Sequence, residues 1–330
     1  MRKYEKLLEA SPDTLAKEFW RSNERFADLF NAIIYKRRQV EPSSLQEMDT
    51  DISVLIADKD LMETIRRVRD TVKLSADGVR YQILAVENQQ FIHYAMPFRC
   101  LLYDTLTYYH QLKVIMVQNK KEKAGNGDEF LSKFKRTDKL IPCRTIVIYY
   151  GAKPWDGARN LSELMDFSSE EDRKAFNEYR CDLICLNEID ISQYQFTDKD
   201  VRDFFLYVSN TYQNGGTHPL EELKNMNVEA AYTAAAVTGT LQTYGKEIRE
   251  NMEKGKESID MCEAVKRAFE KERSEGREEG REEGREEGME TLIVNFLRKD
   301  NCISHVSEML MVPEETVQRI ARKQGIEVVR

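Results

Sequence analysis

The chain has 330 residues, 41% of them hydrophobic and 33% charged, which suits one large folded domain with appendages and a surface rich in exposed helix. Its net charge of −8 argues against indiscriminate nucleic-acid binding by the whole surface. No apolar run reaches the roughly 20 residues of a membrane span, and the opening MRKYEKLLEASPDTLAKEFW lacks the apolar stretch of a secretory signal, so the expected location is cytoplasmic with no membrane partner.

Residues 1 to 20 read as a helix. Ser22 or Asn23 then suits the cap of a second helix, ERFADLFNAIIYKRR, in which Phe26, Leu29, Phe30, Ile33 and Ile34 recur at helical spacing. Glu24 and Asp28 share a neighbouring face of that helix, either as solvated charges or as contributors to a site. Residues 48 to 56 fit a strand, and a helical or irregular path to Arg67 fits equally well.

The stretch from Val68 to Gln89 organises the chain. Apolar, β-favouring residues flank Ala76-Asp77-Gly78, and Asp-Gly between such runs is a strong hairpin signal. With the turn at Asp77-Gly78, Asp70 falls near the end of the partner strand, where Ile83, Leu84, Ala85 and Val86 give way to Glu87-Asn88-Gln89. Alternation puts Glu87 and Gln89 on one side. Two carboxylates and an amide would then meet where a buried strand reaches solvent, a set suited to a hard divalent cation. Taken alone, such a pair is more often two solvated strand-end charges.

A long helical pattern follows, beginning or kinking at Pro97, and it stacks Arg99 and Tyr103 four residues apart. Arg99 reads either as a structural partner of a carboxylate or as a phosphate fork. Asn119 to Lys139 reads as a mobile basic loop able to contact a phosphate backbone or, equally, as a solvated connector, and from Lys113 to Arg144 nine Lys or Arg stand against four acids, a net of +5. Residues 142 to 151 form a buried strand, a helix is expected near residues 169 to 179, and a strand over Cys181 to Ile189. Helices between strands in this order predict an α/β fold, a mixed sheet covered on both faces. The six cysteines have no framework spacing; Cys181 and Cys185 lie about 13 Å apart along a strand, too far to share a zinc, and read as reduced core thiols.

From Thr197 onward nearly everything reads as helix. The unit GREE recurs at Gly276, Gly280 and Gly284, and residues 269 to 290 carry five bases against ten acids. This is a marginal, solvated helical spacer, or else a glycine seam for self-association. In the last forty residues Ile303, Val306, Leu310, Val317 and Ile320 would fill a small core. Two short helices, the second bearing Arg319 and Arg322, fit either a DNA-reading helix-turn-helix or a plain assembly module.

Together ERFADLFNAI, RDTVKL, AVENQQ, MPFRCLLY and the GREE tail resemble the Rpn, or YhgA-like, family of transposase-related, recombination-promoting nucleases, over roughly residues 21 to 212. The resemblance implies a PD-(D/E)XK restriction-endonuclease-like core over residues 1 to 215, with an all-helical C-terminal extension: a helical region over 216 to 268, the spacer over 269 to 290 and the terminal module over 291 to 330. It implies metal-dependent DNA endonuclease activity with Mg²⁺, Mn²⁺ or Ca²⁺, in recombination, mobile-element biology or defence. Asp70 and Glu87 match the family's acidic ligands, joined by the main-chain carbonyl of Asn88. Glu24 matches an acid on its first helix, and Arg99 and Tyr103 match residues that follow the site. Gln89 stands where the wider superfamily has lysine, so it can hydrogen-bond but adds no charge. DNA is the expected partner, with Arg319 and Arg322 as further contacts, and a homo-oligomer is expected through the C-terminal helices. The competing reading is a DNA-binding or assembly protein with a degenerate site.

Overall fold

The computed structural model describes residues 5–47, 71–77, 80–122, 127–215, 221–300 and 302–329. They form two compact units, residues 1–266 and 267–330. The first is a mixed α/β unit. Helices α1 (Glu5–Leu8), α2 (Pro12–Phe19) and α3 (Asn23–Phe30) precede strands β1 (Leu45–Glu47), β2 (Thr71–Asp77) and β3 (Arg80–Gln89). Helix α4 (Met96–Glu122) then crosses to β4 (Cys143–Tyr149), and β5 (Asp182–Cys185) closes a five-stranded sheet in the order β1-β2-β3-β4-β5.

The first two pairings are antiparallel and the last two parallel. A parallel pair needs a crossover long enough to span the sheet, and α4 supplies it between β3 and β4. Strand β3 is therefore central, and its Leu84, Ala85 and Val86 are fully buried. Leu84 and Val86 join Ile146 and Ile148 in the main core, beneath α2, α3, α7 (Lys199–Gln213) and α8 (Val228–Val237). On the opposite face, Val147 and Tyr149 pack against Met96 and Cys100 of α4. The helices over 228–264, including α9 (Leu241–Glu253), complete the core of the sheet unit: Ala230, Ala231, Ala234 and Ala235 are buried, as are Ile248 and Met261. An alanine-rich helix is what close approach to its neighbours requires, since larger side chains would hold the backbones apart.

Several local expectations shift. The register pairs Asp77 with Arg80, so the two residues joining β2 to β3 are 78 and 79 rather than Asp77-Gly78, and they lie outside the described residues. The strand expected over 48 to 56 also lies outside them. The basic segment expected as a mobile loop over 119 to 139 is largely ordered: α4 continues to Glu122, and α5 spans Gly127–Ser132. The Asn119 amide donates to the Lys133 carbonyl at 3.1 Å and to Asp138 at 2.6 Å, which ties the segment back to the helix. Helix α6 is short, Glu170–Ala175, and β5 ends at Cys185 because the chain turns there, Glu188 N–H donating to the Cys185 carbonyl at 3.1 Å.

Helix α3 does not run on as an α-helix through Ile33 and Ile34. It widens into a π-helix, Asn31–Tyr35, which ends at a left-handed Lys36 (φ 51°). The Asn31 carboxamide explains the change, accepting from the backbone N–H groups of Gln39 and Val40 and donating to the Val40 carbonyl. Those bonds pull the following segment back across the helix end. None of the thiols is in a disulfide; Cys100, Cys185 and Cys262 are buried, and Cys100 Sγ lies 3.8 Å from Cys181 Sγ.

Helix α10 (Met261–Leu297) begins in the first unit and ends in the second. In the second unit Ile293 and Leu297 pack with Ile303, Val306, Val317 and Ile320, joining it to α11 (Ile303–Leu310) and α12 (Glu314–Lys323). Earlier in the same helix, within the second unit, the GREE stretch is exposed, and a Cβ added at Gly276, Gly280 or Gly284 meets no atom within 4 Å. Gly280→Ala is therefore expected to gain about 1 kcal/mol of helix stability. Far-UV circular dichroism should show equal or higher helicity and a later loss of it on heating; a drop in both would contradict a solvated helix here.

Candidate functional site

The polar end of β3 is where chemistry gathers. Its first residues are held in the sheet by apolar packing, and the strand runs parallel to β4, pairing Glu87 with Val147 and Gln89 with Tyr149. The carboxyl ends of parallel strands are where α/β folds place their ligands, because there the loops leave room beside a rigid edge. Glu87 and Asn88 remain buried there, 1% and 5% exposed, despite their polarity. That burial demands partners.

Glu87 lies on the α4 side of the sheet. Its Oε1 accepts from the Arg99 guanidinium and, at 3.3 Å, from the Gln89 carboxamide. Arg99 stands in the first turn of α4, and its Nε donates to the Tyr103 hydroxyl one turn later at 3.1 Å, with the guanidinium 5.5 Å from the Tyr103 ring centroid. Burial pushes the Tyr103 phenol above its usual range, against the pull of Arg99. Glu87, Gln89, Arg99 and Tyr103 are thus one connected group.

Asn88 points the other way. Its side-chain oxygen accepts from the Trp20 indole N–H at 3.1 Å, fastening the end of α2 to the sheet. Asp70 lies outside the described residues; it directly precedes Thr71, whose register partner is Val86. Glu24 sits in the first turn of α3, where its own backbone N–H and the Ser22 hydroxyl, at 2.9 Å, hold its carboxyl below the usual range. It lines a cavity with Asp28 and Arg37 on the helix side of the sheet, and no described contact joins it to Glu87. In the second unit Arg319 and Arg322 are exposed on α12, while Val317, Ile320 and Ala321 of that helix face its core. Among the described residues, no group of three or more His, Cys, Asp or Glu side chains is placed to hold a metal ion.

Sequence reasoning missed Lys73, a fully buried lysine on β2. Its ammonium donates to the Arg21 carbonyl at 2.6 Å and to the Asn23 side chain at 2.7 Å, and it lies 4.9 Å over the Phe26 ring. Lysine thereby serves as the clasp of the turn between α2 and α3. The signal was present in the alternation Thr71-Val72-Lys73-Leu74-Ser75, but on an edge-facing strand the polar side reads as solvent-facing; the helices cover it instead. Burial lowers the Lys73 pKa to about 8, partly opposed by Glu47 and Glu24.

No protein-family model, curated protein or solved structure matches the chain.

Two outcomes follow from these contacts. Arg99→Leu takes the guanidinium away from a buried carboxylate and is expected to cost about 3 kcal/mol. Adding Glu87→Gln should recover a good part of that loss, and a denaturant-based double-mutant cycle that shows no coupling would contradict the pair. For Lys73 the sign runs opposite to that of a salt-bridged lysine. Below pH 8 both folded and unfolded chains hold the proton and the burial penalty is fully present; between pH 8 and 10.5 the unfolded chain binds more protons, so this group's contribution to stability improves as pH rises. The stability difference between wild type and Lys73→Met should change by about 3 kcal/mol across that window. A flat difference would mean that the ammonium is not desolvated.

Proposed function

We propose that the first unit is a metal-dependent DNA endonuclease, built on a PD-(D/E)XK-like core and related to the Rpn, or YhgA-like, nucleases. The supporting observation is Glu87, a carboxylate buried at the polar end of a central strand and held by Gln89 and Arg99. The donor set fits a hard cation: Glu87 and Asp70 offer carboxylate oxygens and Asn88 a main-chain carbonyl, with no soft ligand among them. Such a cation would lower the pKa of a water and stabilise charge on the scissile phosphate.

The chain's own residues supply the rest. Glu87 is fixed in one orientation by its two donors, which removes the entropy cost of ordering it when a ligand arrives. Gln89 can orient a nucleophilic water by hydrogen bonding but cannot donate positive charge. Arg99 carries the cationic role that a lysine at position 89 would have filled, and its planar fork matches a phosphate once substrate competes with Glu87 for it. Tyr103 holds that fork in place. The basic stretch from Lys113 to Arg144 lies within the same unit and favours a phosphate backbone. Arg319 and Arg322 offer further DNA contacts on a helix-turn-helix-like pair, and a homo-oligomer through the C-terminal helices is part of the same proposal.

A second reading, a DNA-binding or assembly protein whose site has lost its chemistry, is favoured by Gln89 and by the hold of Arg99 on Glu87. Incubation of supercoiled plasmid with the full chain and Mg²⁺ or Mn²⁺ separates the two. Nicking is expected for the wild type, with losses of about a hundredfold or more in Asp70→Ala and Glu87→Ala proteins that keep their circular dichroism. Cleavage that survives both substitutions would defeat the assignment, and salt-dependent retention of DNA without cleavage would favour the second reading.

A further inference from the structure

On the helix side of the first unit lies a cavity of about 570 Å³, within the size range of small-molecule sites. Its floor is α3 and the π-helix that continues it, and its far wall is the segment that leads into α7. Three observations set it apart from an ordinary surface cleft.

The first is Asp28. It is 4% exposed and lines the cavity; Oδ1 accepts from the backbone N–H and the hydroxyl of Thr197, at 2.8 and 2.6 Å, whereas Oδ2 is buried with no hydrogen-bond partner among the described residues. A carboxylate oxygen in that position is costly unless something donates to it. The second is the π-helix itself. Such widened turns are disfavoured and recur at functional sites, and this one ends in a left-handed, non-glycine Lys36. The distortion brings Lys36 and Arg37 round to the cavity rim.

The third is the ordering of charge along the floor. Glu24 and Asp28 lie one turn apart at one end, and Asp198, at the N-cap of α7, faces the same cavity. Lys36 and Arg37 lie at the other end, beyond the π-helix. Arg38 is taken up by an ion pair with Glu41, whereas the Arg37 contact described is to the Gln39 carboxamide. The trough is thus acidic at one end, basic at the other, and uncharged between, where Ala32 and Val40 line it.

We propose that this cavity binds a small zwitterion, with its ammonium group donating to Asp28 and its carboxylate or phosphate held by Arg37 and Lys36. The site is separate from the Glu87 group and does not rest on the nuclease reading. Both sources of such a ligand, amino acids or short peptides and aminoalkyl phosphates, share this charge pattern.

Isothermal titration of the full chain with amino acids, dipeptides and phosphoethanolamine, beside ethylamine, acetate and inorganic phosphate, tests it. At least one zwitterion should bind with a dissociation constant of about 1 mM or tighter, and each control that carries charge of one sign only at least about tenfold more weakly. Binding by the amino acids or peptides alone assigns a carboxylate to the basic end; binding by phosphoethanolamine alone assigns a phosphate. Asp28→Asn should weaken the tightest zwitterion about tenfold or more, the scale of one charge-assisted hydrogen bond. Because Asp28 also anchors Thr197, Arg37→Gln serves as a second variant at an exposed position and should weaken the same ligand by a similar factor while leaving the melting temperature unchanged. Failure of every zwitterion to bind, equal binding of the controls, or unchanged affinity in Arg37→Gln overturns the proposal.

Discussion

The first unit depends on how one buried carboxylate is accommodated. Glu87 sits at the end of the central strand β3, and an isolated ionised carboxylate there would cost far more than the unit's stability allows. The guanidinium that meets it comes from the first turn of the crossover helix α4, so the docking of that helix and the charge state of the strand end are the same problem. The alternating pattern of β3 divides the work between two faces. Glu87 commits to α4, and its neighbour Asn88 commits to Trp20 on the helix side, so consecutive residues fasten both layers to one strand. A register slip of one residue would exchange these partners and leave two buried polar groups without them.

Much of this was legible from the sequence because the relevant contacts are short in sequence. Glu87 and Gln89 are two apart on a strand, and Arg99 and Tyr103 are four apart on a helix; both spacings follow from backbone periodicity alone. The hairpin was visible from its apolar runs, although its connecting pair fell one residue later than Asp-Gly suggested. What could not be read was set by contacts distant in sequence. Lys73 reaches the turn between α2 and α3, Trp20 reaches Asn88 sixty-eight positions away, and Asp28 meets Thr197 across one hundred and sixty-nine. The π-helix was hidden by a nearer contact: Ile33 and Ile34 kept the helical spacing, and only the grip of Asn31 on residues 39 and 40 shows why the turn widens.

The second unit illustrates a different economy. Its core is small, with Ile293 and Leu297 of α10 completing what α11 and α12 begin, and Lys323 and Gln324 both bond to Glu290 on that same helix. Residues with good apolar periodicity were enough to find it. The GREE stretch before it has no apolar face to bury, so its helix is supported by its own backbone and by three-apart charge pairs, which are weak and screened by salt. Four-residue spacing aligns Arg273, Arg277, Arg281 and Arg285 in one slowly turning stripe.

The distribution of positive charge around the sheet ties the two halves of the problem together. Gln89 contributes none at the strand end, and the one lysine of β2 is spent on the opposite face, where burial holds its pKa to about 8 and its donors serve the α2–α3 turn. Compensation for Glu87 among the described residues therefore falls to Arg99, a side chain on a different element from the carboxylate it serves. A lysine two residues along the same strand would be positioned by the strand itself. An arginine on α4 is positioned only if α4 is docked through Met96 and Cys100 against Val147 and Tyr149. In the proposed nuclease, phosphate binding by Arg99 would thus draw on the same guanidinium that neutralises Glu87, and a cation brought in by the substrate complex would be the natural replacement on that carboxylate.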